Sequence, residues 1–169
     1  MAKNNTKHIF VLGSSISGLG KGIVSASIGR ILKSFNCNVT IQKFDPYLNI
    51  SSSNIRPEAH GECIPLKDGW TGDMDLQHYI NFLGDPYLLT SDNSITSGVI
   101  YSNILQNERE GKYLGDTIQV IPHVTNEIQR YMHILDKEND IVIHEIGGNI
   151  MDMEAAPYIE ALRQFRLAL

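Results

Sequence analysis

Residues 13–22 read GSSISGLGKG and directly follow the apolar run IFVL at residues 9–12. A buried strand, a glycine-rich turn and a helix in this order form a unit in which backbone N–H groups and the helix N-terminus bind phosphate oxygens. Lys21 can reach terminal phosphates from such a loop. The segment therefore predicts a nucleotide site, with a glycine-rich turn and a surface lysine as the structural alternative.

This loop departs from the P-loop consensus GxxxxGK[ST] at two positions. Ser15 stands where the first glycine belongs, and Gly22 stands where a serine or threonine would bind Mg²⁺. If the loop binds a nucleotide, carboxylates from elsewhere in the chain must therefore hold the metal.

The bulk composition is that of an ordinary globular domain. The chain has 169 residues, of which 42% are hydrophobic and 20% are charged. A formal net charge of −5 argues against a general affinity for nucleic acid or anionic membranes. Cys37 and Cys63 are too few for a disulfide framework, and no apolar run approaches the roughly 20 residues of a membrane span. We therefore expect a cytoplasmic protein without nucleic-acid or membrane partners.

Hydrophobic periodicity alternates between strand and helix along the chain. It predicts strands over residues 8–12, 39–44, 117–121 and 141–146, and helices from the glycine-rich loop to Asn36, over 97–106, over 126–135, and from Glu154 to the last residue. Residues 47–96 contain many glycines, prolines and serines, which predicts a loosely ordered functional segment. The alternation predicts an α/β fold with a doubly wound, mostly parallel sheet.

Charged residues near the ends of predicted strands are the strongest candidates for a function, because open parallel sheets bind ligands beyond the carboxyl ends of their strands. Lys43 closes the second predicted strand. Glu145 lies in the apolar strand at 141–146, where an unpaired acid would be costly, so a metal-ligand role is favoured over a structural ion pair. Asp73 and Asp75 share a face if the chain is extended, or cap a helix; both interpretations stay open. One Asp and one Glu with nucleotide phosphates would suit Mg²⁺.

The histidines give a weaker signal. His60, His78 and His123 are scattered without zinc-type spacing, so they predict no zinc site. His60 precedes Gly61 and Glu62 in a predicted loop and could contact a substrate, with a structural or surface role as the alternative.

Eight segments of the chain, in order, resemble the N-terminal synthetase (amidoligase) domain of CTP synthases. They are ISGLGKGIVSAS at 16–27, KFDPYLNI at 43–50, HGE at 60–62, DMDLQHY at 73–79, KYLGDTIQVIPHVTNEI at 112–128, HEIGG at 144–148, DME at 152–154 and EALRQF at 160–165. The resemblance covers nearly the whole chain. It implies that residues 1–169 are the N-terminal part of this domain, truncated at its C-terminal end and without the glutamine amidotransferase domain.

The resemblance also implies an activity. Such a ligase uses ATP to phosphorylate the uracil 4-oxygen of UTP, and ammonia then displaces phosphate to give CTP. Mg²⁺ would be the metal, and ammonia would come from glutamine through the absent amidotransferase domain. The chain alone would then be inactive or dependent on free ammonia, and we expect a homo-oligomer because the family forms tetramers through this domain.

Matched positions assign roles to individual residues. Lys21, Lys43 and His60 would be catalytic, and Asp75 and Glu145 would bind Mg²⁺. ATP would contact Ser17, Gly18, Leu19, Gly20, Lys21, Gly22, Ile23 and Asp75. UTP or CTP would contact Ser17, Gln119, Val120, Asp152, Met153 and Glu154.

Two other functions remain open at this point. Ser14, Asn149 and Met151 depart from the family's pattern, which favours a diverged nucleotide-binding relative that acts as a regulatory or structural subunit without catalysis. A ligase of the dethiobiotin synthetase type shares the deviant phosphate loop, but we do not expect it to carry the segments at 43–50 and 119–126.

Overall fold

The computed structural model describes residues 6–14, 19–85 and 89–168, and it has the predicted α/β architecture. Its strands are β1 (Lys7–Val11), β2 (Val39–Asp45), β3 (Cys63–Pro65), β4 (Thr71–Asp73), β5 (Ser94–Thr96) and β6 (Ile141–Ile146). Its helices are α1 (Lys21–Ser34), α2 (Pro57–His60), α3 (Asp75–Leu83), α4 (Ser97–Arg109), α5 (Thr125–Met132) and α6 (Ala156–Ala168).

Four parallel strands form the main sheet in the order β1-β6-β2-β5, and β3 pairs with β4 in a separate antiparallel ribbon. β6 lies between β1 and β2, with Ile143 opposite both Ile9 and Ile41. Every residue of β2 is buried, as expected for a parallel strand that helices cover on both faces.

Side chains alternate along β2 and β6 between two packed layers. α1 and α3 cover one face, where the core includes Ala26, Ile41, Leu76, Tyr79 and Ile143. α4, α5 and α6 cover the other face, where the core includes Phe44, Ile104, Ile128, Ile146 and Phe165. Neighbouring polar residues therefore enter opposite layers: Lys43 and Glu145 face α3, whereas Gln42 and His144 face α5 and α6.

The prediction of a strand over residues 117–121 is wrong. Residues 116–119 have no regular structure, and Val120–Val124 form a π-helical turn interrupted by extended backbone at Ile121. Val120 and Ile121 are 46% and 53% exposed, and neither pairs with a strand of the described residues. Their composition suits a strand, but a strand forms only where a neighbouring strand accepts its hydrogen bonds.

Residues 47–96 are more regular than predicted. The segment holds α2, the β3–β4 ribbon, α3 and β5, and the last of these extends the main sheet beside β2. Within the described ranges, no helix combines the length and hydrophobicity that a membrane crossing needs.

Candidate active site

An open cavity of about 1000 Å³ lies beyond the carboxyl ends of β2 and β6. The start of α1, the segment after β2, the junction of β4 with α3, and the loop after β6 form its walls. This is the edge at which a parallel sheet binds ligands, because its successive loops converge there.

The N-terminus of α1 opens onto this cavity. Gly20 precedes the helix with φ of 80°, a left-handed conformation that glycine adopts without steric cost. Among the described residues no side chain caps the helix, and the first N–H groups of a helix have no partner within it, so they suit an anion. Lys21 begins the helix, and its Nζ donates to the carbonyl oxygen of Gly148 at 2.6 Å.

Lys43 is the buried cation of the cavity, with 3% of its surface exposed. Its Nζ donates to Asp75 Oδ2 at 2.6 Å and to Asp73, and it lies 3.5 Å from Asp45 Oδ1. Burial alone would lower the pKa of Lys43, but the three carboxylates outweigh burial and raise it. Lys43 is therefore a permanent positive charge at neutral pH.

Glu145 projects from β6 into the same space and is 2% exposed. Burial raises the pKa of its carboxyl group, although the hydroxyl of Tyr79 donates to Oε2 and Lys43 lies nearby, which both lower it. Tyr79 and Asp75 are four residues apart on α3, so the helix presents both to the sheet. Tyr79 has no predicted role, although its spacing of four residues from Asp75 is the signal that would place both on one helix face.

Gly22 leaves a gap between the two predicted metal ligands. A Cβ atom at this position would lie 3.7 Å from Asp75 Oδ1 and 3.8 Å from Glu145 Oε2. These two carboxylates therefore flank the direction in which a P-loop serine or threonine would project. Their oxygens are of the type that Mg²⁺ prefers, so the donor set fits this ion.

The charge balance of the cavity also favours a divalent cation. Its described lining carries six carboxylates, from Asp45, Asp73, Asp75, Glu145, Asp152 and Glu154, but only two lysines, Lys21 and Lys43. A polyphosphate is itself anionic, so it would be repelled without additional positive charge.

The structure brings most of the predicted residues to this one cavity. Those on its lining are Leu19, Gly20, Lys21, Gly22, Ile23, Lys43, Asp75, Glu145, Asp152 and Glu154. Asp45 and Tyr47 also line the cavity, although the sequence assigns neither of them a role. Asp73, for which the sequence left two interpretations open, lines it as well.

Other predicted residues lie elsewhere. Met153 is 89% exposed, and it is absent from the lining, as are Gln119 and Val120. The backbone N–H of Gln119 instead bonds to His123 Nδ1 at 3.1 Å. His60 ends α2, but its side chain lies outside the described part of the structure, and so do the whole of Ser17 and Gly18.

Comparison with known proteins gives a family match and a set of similar relatives. Residues 7–169 match the family model described as CTP synthase N-terminus. The chain is 48% identical over 167 residues to a CTP synthase from Porphyromonas gingivalis. It is 51% identical over 166 residues to one from Bacteroides thetaiotaomicron, and 49% identical over 164 residues to one from Clostridium perfringens. These alignments cover 98%, 97% and 96% of this chain, but only 31%, 30% and 30% of the relatives.

Proposed function

The chain belongs to the CTP synthase family, and from this premise we propose that its cavity is a synthetase site that uses ATP to aminate UTP. The chain spans about 30% of the length of its relatives, so the activity proposed is that of a longer protein containing it. Ammonia would be supplied from glutamine by a further domain of that protein, and we expect the protein to assemble as a homo-tetramer.

One observation carries this proposal. Lys21, Lys43, Asp75 and Glu145 come from four separate elements of the fold, yet all four line the same cavity at the carboxyl ends of β2 and β6. Cations for phosphate and carboxylates for a metal are the groups that phosphoryl transfer requires. Their convergence supports a triphosphate site more than a structural ion pair, which would not need Lys21.

Each group has a distinct task in phosphoryl transfer. The N-terminus of α1 and Lys21 would bind the phosphates, with Lys21 exchanging its bond to the Gly148 carbonyl for a phosphate oxygen. Mg²⁺ held by Asp75 and Glu145 would neutralise phosphate charge. Lys43 keeps Asp45 and Asp73 as partners when Asp75 turns to the metal, so it stays protonated and can stabilise charge on the transferred group.

UTP, ATP and ammonia together supply every atom of the products CTP, ADP and inorganic phosphate. The uracil 4-oxygen attacks the γ-phosphorus of ATP, and ADP leaves. Ammonia then adds to C4, a proton is lost, and inorganic phosphate departs with the original 4-oxygen to leave CTP. Asp152 and Glu154 lie on the cavity beside the loop after β6, where they would contact the pyrimidine nucleotide.

An ammonia-dependent assay tests the proposal. The full-length protein and the chain of 169 residues are each incubated with ATP, UTP, Mg²⁺ and ammonium, and CTP is quantified by chromatography. Lys21→Ala and Asp75→Asn in the full-length protein should lower the rate by about a hundredfold or more, the usual effect of removing one charge-stabilising group. Lys112→Ala, which removes a surface lysine paired with Glu110, is the matched control and should retain the parental rate.

Three outcomes would contradict the proposal. If Lys21→Ala and Asp75→Asn still form CTP at the parental rate, the reaction does not take place in this cavity. Nucleotide binding without turnover by the full-length protein would favour a non-catalytic subunit. Consumption of ATP that needs a different acceptor instead of UTP would favour another ligase of the same fold.

A further inference from the structure

The two lysines of the cavity are held in place in different ways. Three carboxylates surround the ammonium group of Lys43. Lys21 has one hydrogen bond in the described part of the chain, from Nζ to the carbonyl oxygen of Gly148 at 2.6 Å. A lysine side chain is long and flexible, so a single bond at its tip does not fix its path. What the chain of Lys21 packs against must therefore decide where its ammonium group lies.

Gly13 lies along the path of Lys21. It follows β1 and is buried. A Cβ atom at residue 13 would lie 2.9 Å from Cδ, 3.0 Å from Nζ and 3.5 Å from Cε of Lys21, and these would be its three nearest heavy atoms among the described residues that do not adjoin it. Carbon atoms in contact are normally about 3.5–4.0 Å apart. The lysine chain therefore occupies the space that a side chain at residue 13 would need.

The backbone of Gly13 does not itself require glycine. Seven glycines of the described residues have a positive φ, and Gly13 is not one of them. An L-residue could adopt its conformation without the strain that a positive φ imposes. The steric reason for glycine at this position therefore lies in Lys21 rather than in the backbone.

An added side chain at residue 13 would displace the lysine and not the backbone. The carbonyl oxygen of Gly13 accepts a hydrogen bond from the N–H of Ile150 at 3.2 Å, and Val11, which ends β1, pairs with Glu145 of β6. The backbone around residue 13 is thus tied to β6 and to the loop after it. Rotating the ammonium group of Lys21 alone would not relieve the contact, because Cδ would stay in place. The lysine chain would have to leave its present path altogether.

We propose that Gly13 is a positioning residue for Lys21 in the phosphate site. Because it carries no side chain, the lysine can extend from α1 toward the loop after β6, along the cavity in which a terminal phosphate of ATP would bind. Gly13 is not on the described cavity lining and precedes the segment that aligns with the P-loop consensus, so it acts through Lys21. The inference rests on the proposed function, since that function assigns Lys21 to the phosphates.

Gly13→Ala in the full-length protein tests this role. MgATP binding is measured by calorimetry without UTP, and CTP formation is measured over a range of ATP concentrations. We expect MgATP affinity and kcat/KM for ATP to fall by about tenfold or more, because a displacement of about 1 Å in a site can cost a hundredfold. Ser27→Ala, on α1 and away from the cavity lining, is the control and should behave like the parent.

A double-mutant cycle separates positioning from structural damage. Lys21→Ala has no lysine chain to displace, so adding Gly13→Ala to it should change MgATP affinity by less than about twofold. If Gly13 had only a structural role, the same substitution would lower the affinity by an equal factor with and without the lysine. That result would overturn the proposal.

Urea denaturation shows whether each variant folds. If Gly13→Ala does not fold but the double variant does, the contact with Lys21 is the cause and the proposal holds. If neither folds, the backbone rejects alanine and the proposal is overturned. Parental MgATP binding by Gly13→Ala beside weak binding by Lys21→Ala would overturn this inference alone. Parental binding by Lys21→Ala would overturn both the inference and the proposed function.

Discussion

Lys43 Nζ lies 2.6 Å from Asp75 Oδ2, although 32 positions separate the two residues along the chain. The bond joins the end of β2 to the first turn of α3 across the floor of the cavity. It pairs a predicted catalytic cation with a predicted metal ligand. The same contact therefore links the stability of this layer to the proposed chemistry.

Replacing Lys43 with Met should destabilise the fold strongly. The change leaves Asp45 and Asp73 buried without their cation, and removing one partner of a buried ion pair costs about 3–5 kcal/mol. Urea denaturation without nucleotide measures the free energy of unfolding. Lys43→Met combined with Asp73→Asn should recover part of the loss, because one buried charge is removed. A free energy of unfolding within about 0.5 kcal/mol of the parental value would contradict this interpretation of the cluster.

Gly22→Ala should have opposite effects on stability and on nucleotide binding. The new Cβ would make ordinary contacts at 3.7 Å or more, and alanine favours a helix over glycine by about 1 kcal/mol, so the thermal midpoint should rise or stay unchanged. The same methyl group would project between Asp75 and Glu145, and we expect MgATP to bind about tenfold more weakly, a loss of about 1.4 kcal/mol.

Calorimetric titration with MgATP and a thermal scan check both effects. Ser27→Ala, on the same helix and away from the cavity lining, is the control. MgATP affinity equal to that of the parent would place the metal elsewhere.

Tyr79→Phe tests the support of Glu145. Tyr79 is fully buried, so loss of its hydroxyl removes a hydrogen bond to the buried Glu145 carboxylate and should cost about 1–3 kcal/mol of stability. The pKa of Glu145 should rise further, and the full-length protein should require more Mg²⁺ for half-maximal CTP formation. Urea denaturation and a Mg²⁺ titration measure the two effects. Tyr113→Phe is the control. If Tyr79→Phe requires the same Mg²⁺ concentration as the parent, Glu145 does not bind the metal.

Tyr158 should make the fold sensitive to alkaline pH. Its hydroxyl lies 2.8 Å from Ser97 Oγ in the core, and burial raises its pKa above the ordinary 10.0. Above pH 10.0 the unfolded chain loses this proton while the folded chain keeps it, so the free energy of unfolding falls as pH rises.

Tyr158→Phe should reduce that slope by one proton, about 1.4 kcal/mol per pH unit between the ordinary and the raised pKa. Urea denaturation of parent and variant at several pH values on both sides of 10.0 measures the difference. Identical slopes would mean that Tyr158 ionises as readily in the folded protein as in the unfolded chain.

The sequence predicts the central part of this fold because its signals there are local. β6 occupies residues 141–146 as predicted, since a continuous apolar run suits a strand that is buried on both faces. The segment at 117–121 is also rich in β-branched residues, but no strand of the described part of the chain lies beside it, and adjacency is not a local property. α3 was missed because glycine and proline surround it, although Leu76, Tyr79 and Leu83 have helical spacing.

The candidate site could be predicted in part from topology. Lys43 and Glu145 were found because parallel strands end at one edge of the sheet. Asp73 and Asp75 were expected on a strand or at a helix start, and each interpretation holds for one of them. Asp73 ends β4, Asp75 begins α3, and each bonds to Lys43. Lys43, Glu145 and the two aspartates meet only because β2 lies beside β6. The sequence of one chain does not show which strands are neighbours.

The grouping of His8, His133 and Asp136 in the layer formed by α5 and α6 could not be predicted at all. His133 and Asp136 are close in sequence, but His8 joins them only because β1 pairs with β6 in one particular register. Gln42 likewise meets His144 only because β2 lies beside β6. Contacts of this kind depend on which strands pair, and they are therefore not visible in the sequence.

The most direct test of the central claim is to locate a metal beside bound ATP. Crystals of the full-length protein grown with an ATP analogue and Mn²⁺ in place of Mg²⁺ would give an anomalous signal at the metal. We expect a peak between the carboxylates of Asp75 and Glu145, with the phosphates at the start of α1 and within reach of Lys21 and Lys43. A nucleotide bound with its metal away from both carboxylates would contradict the account.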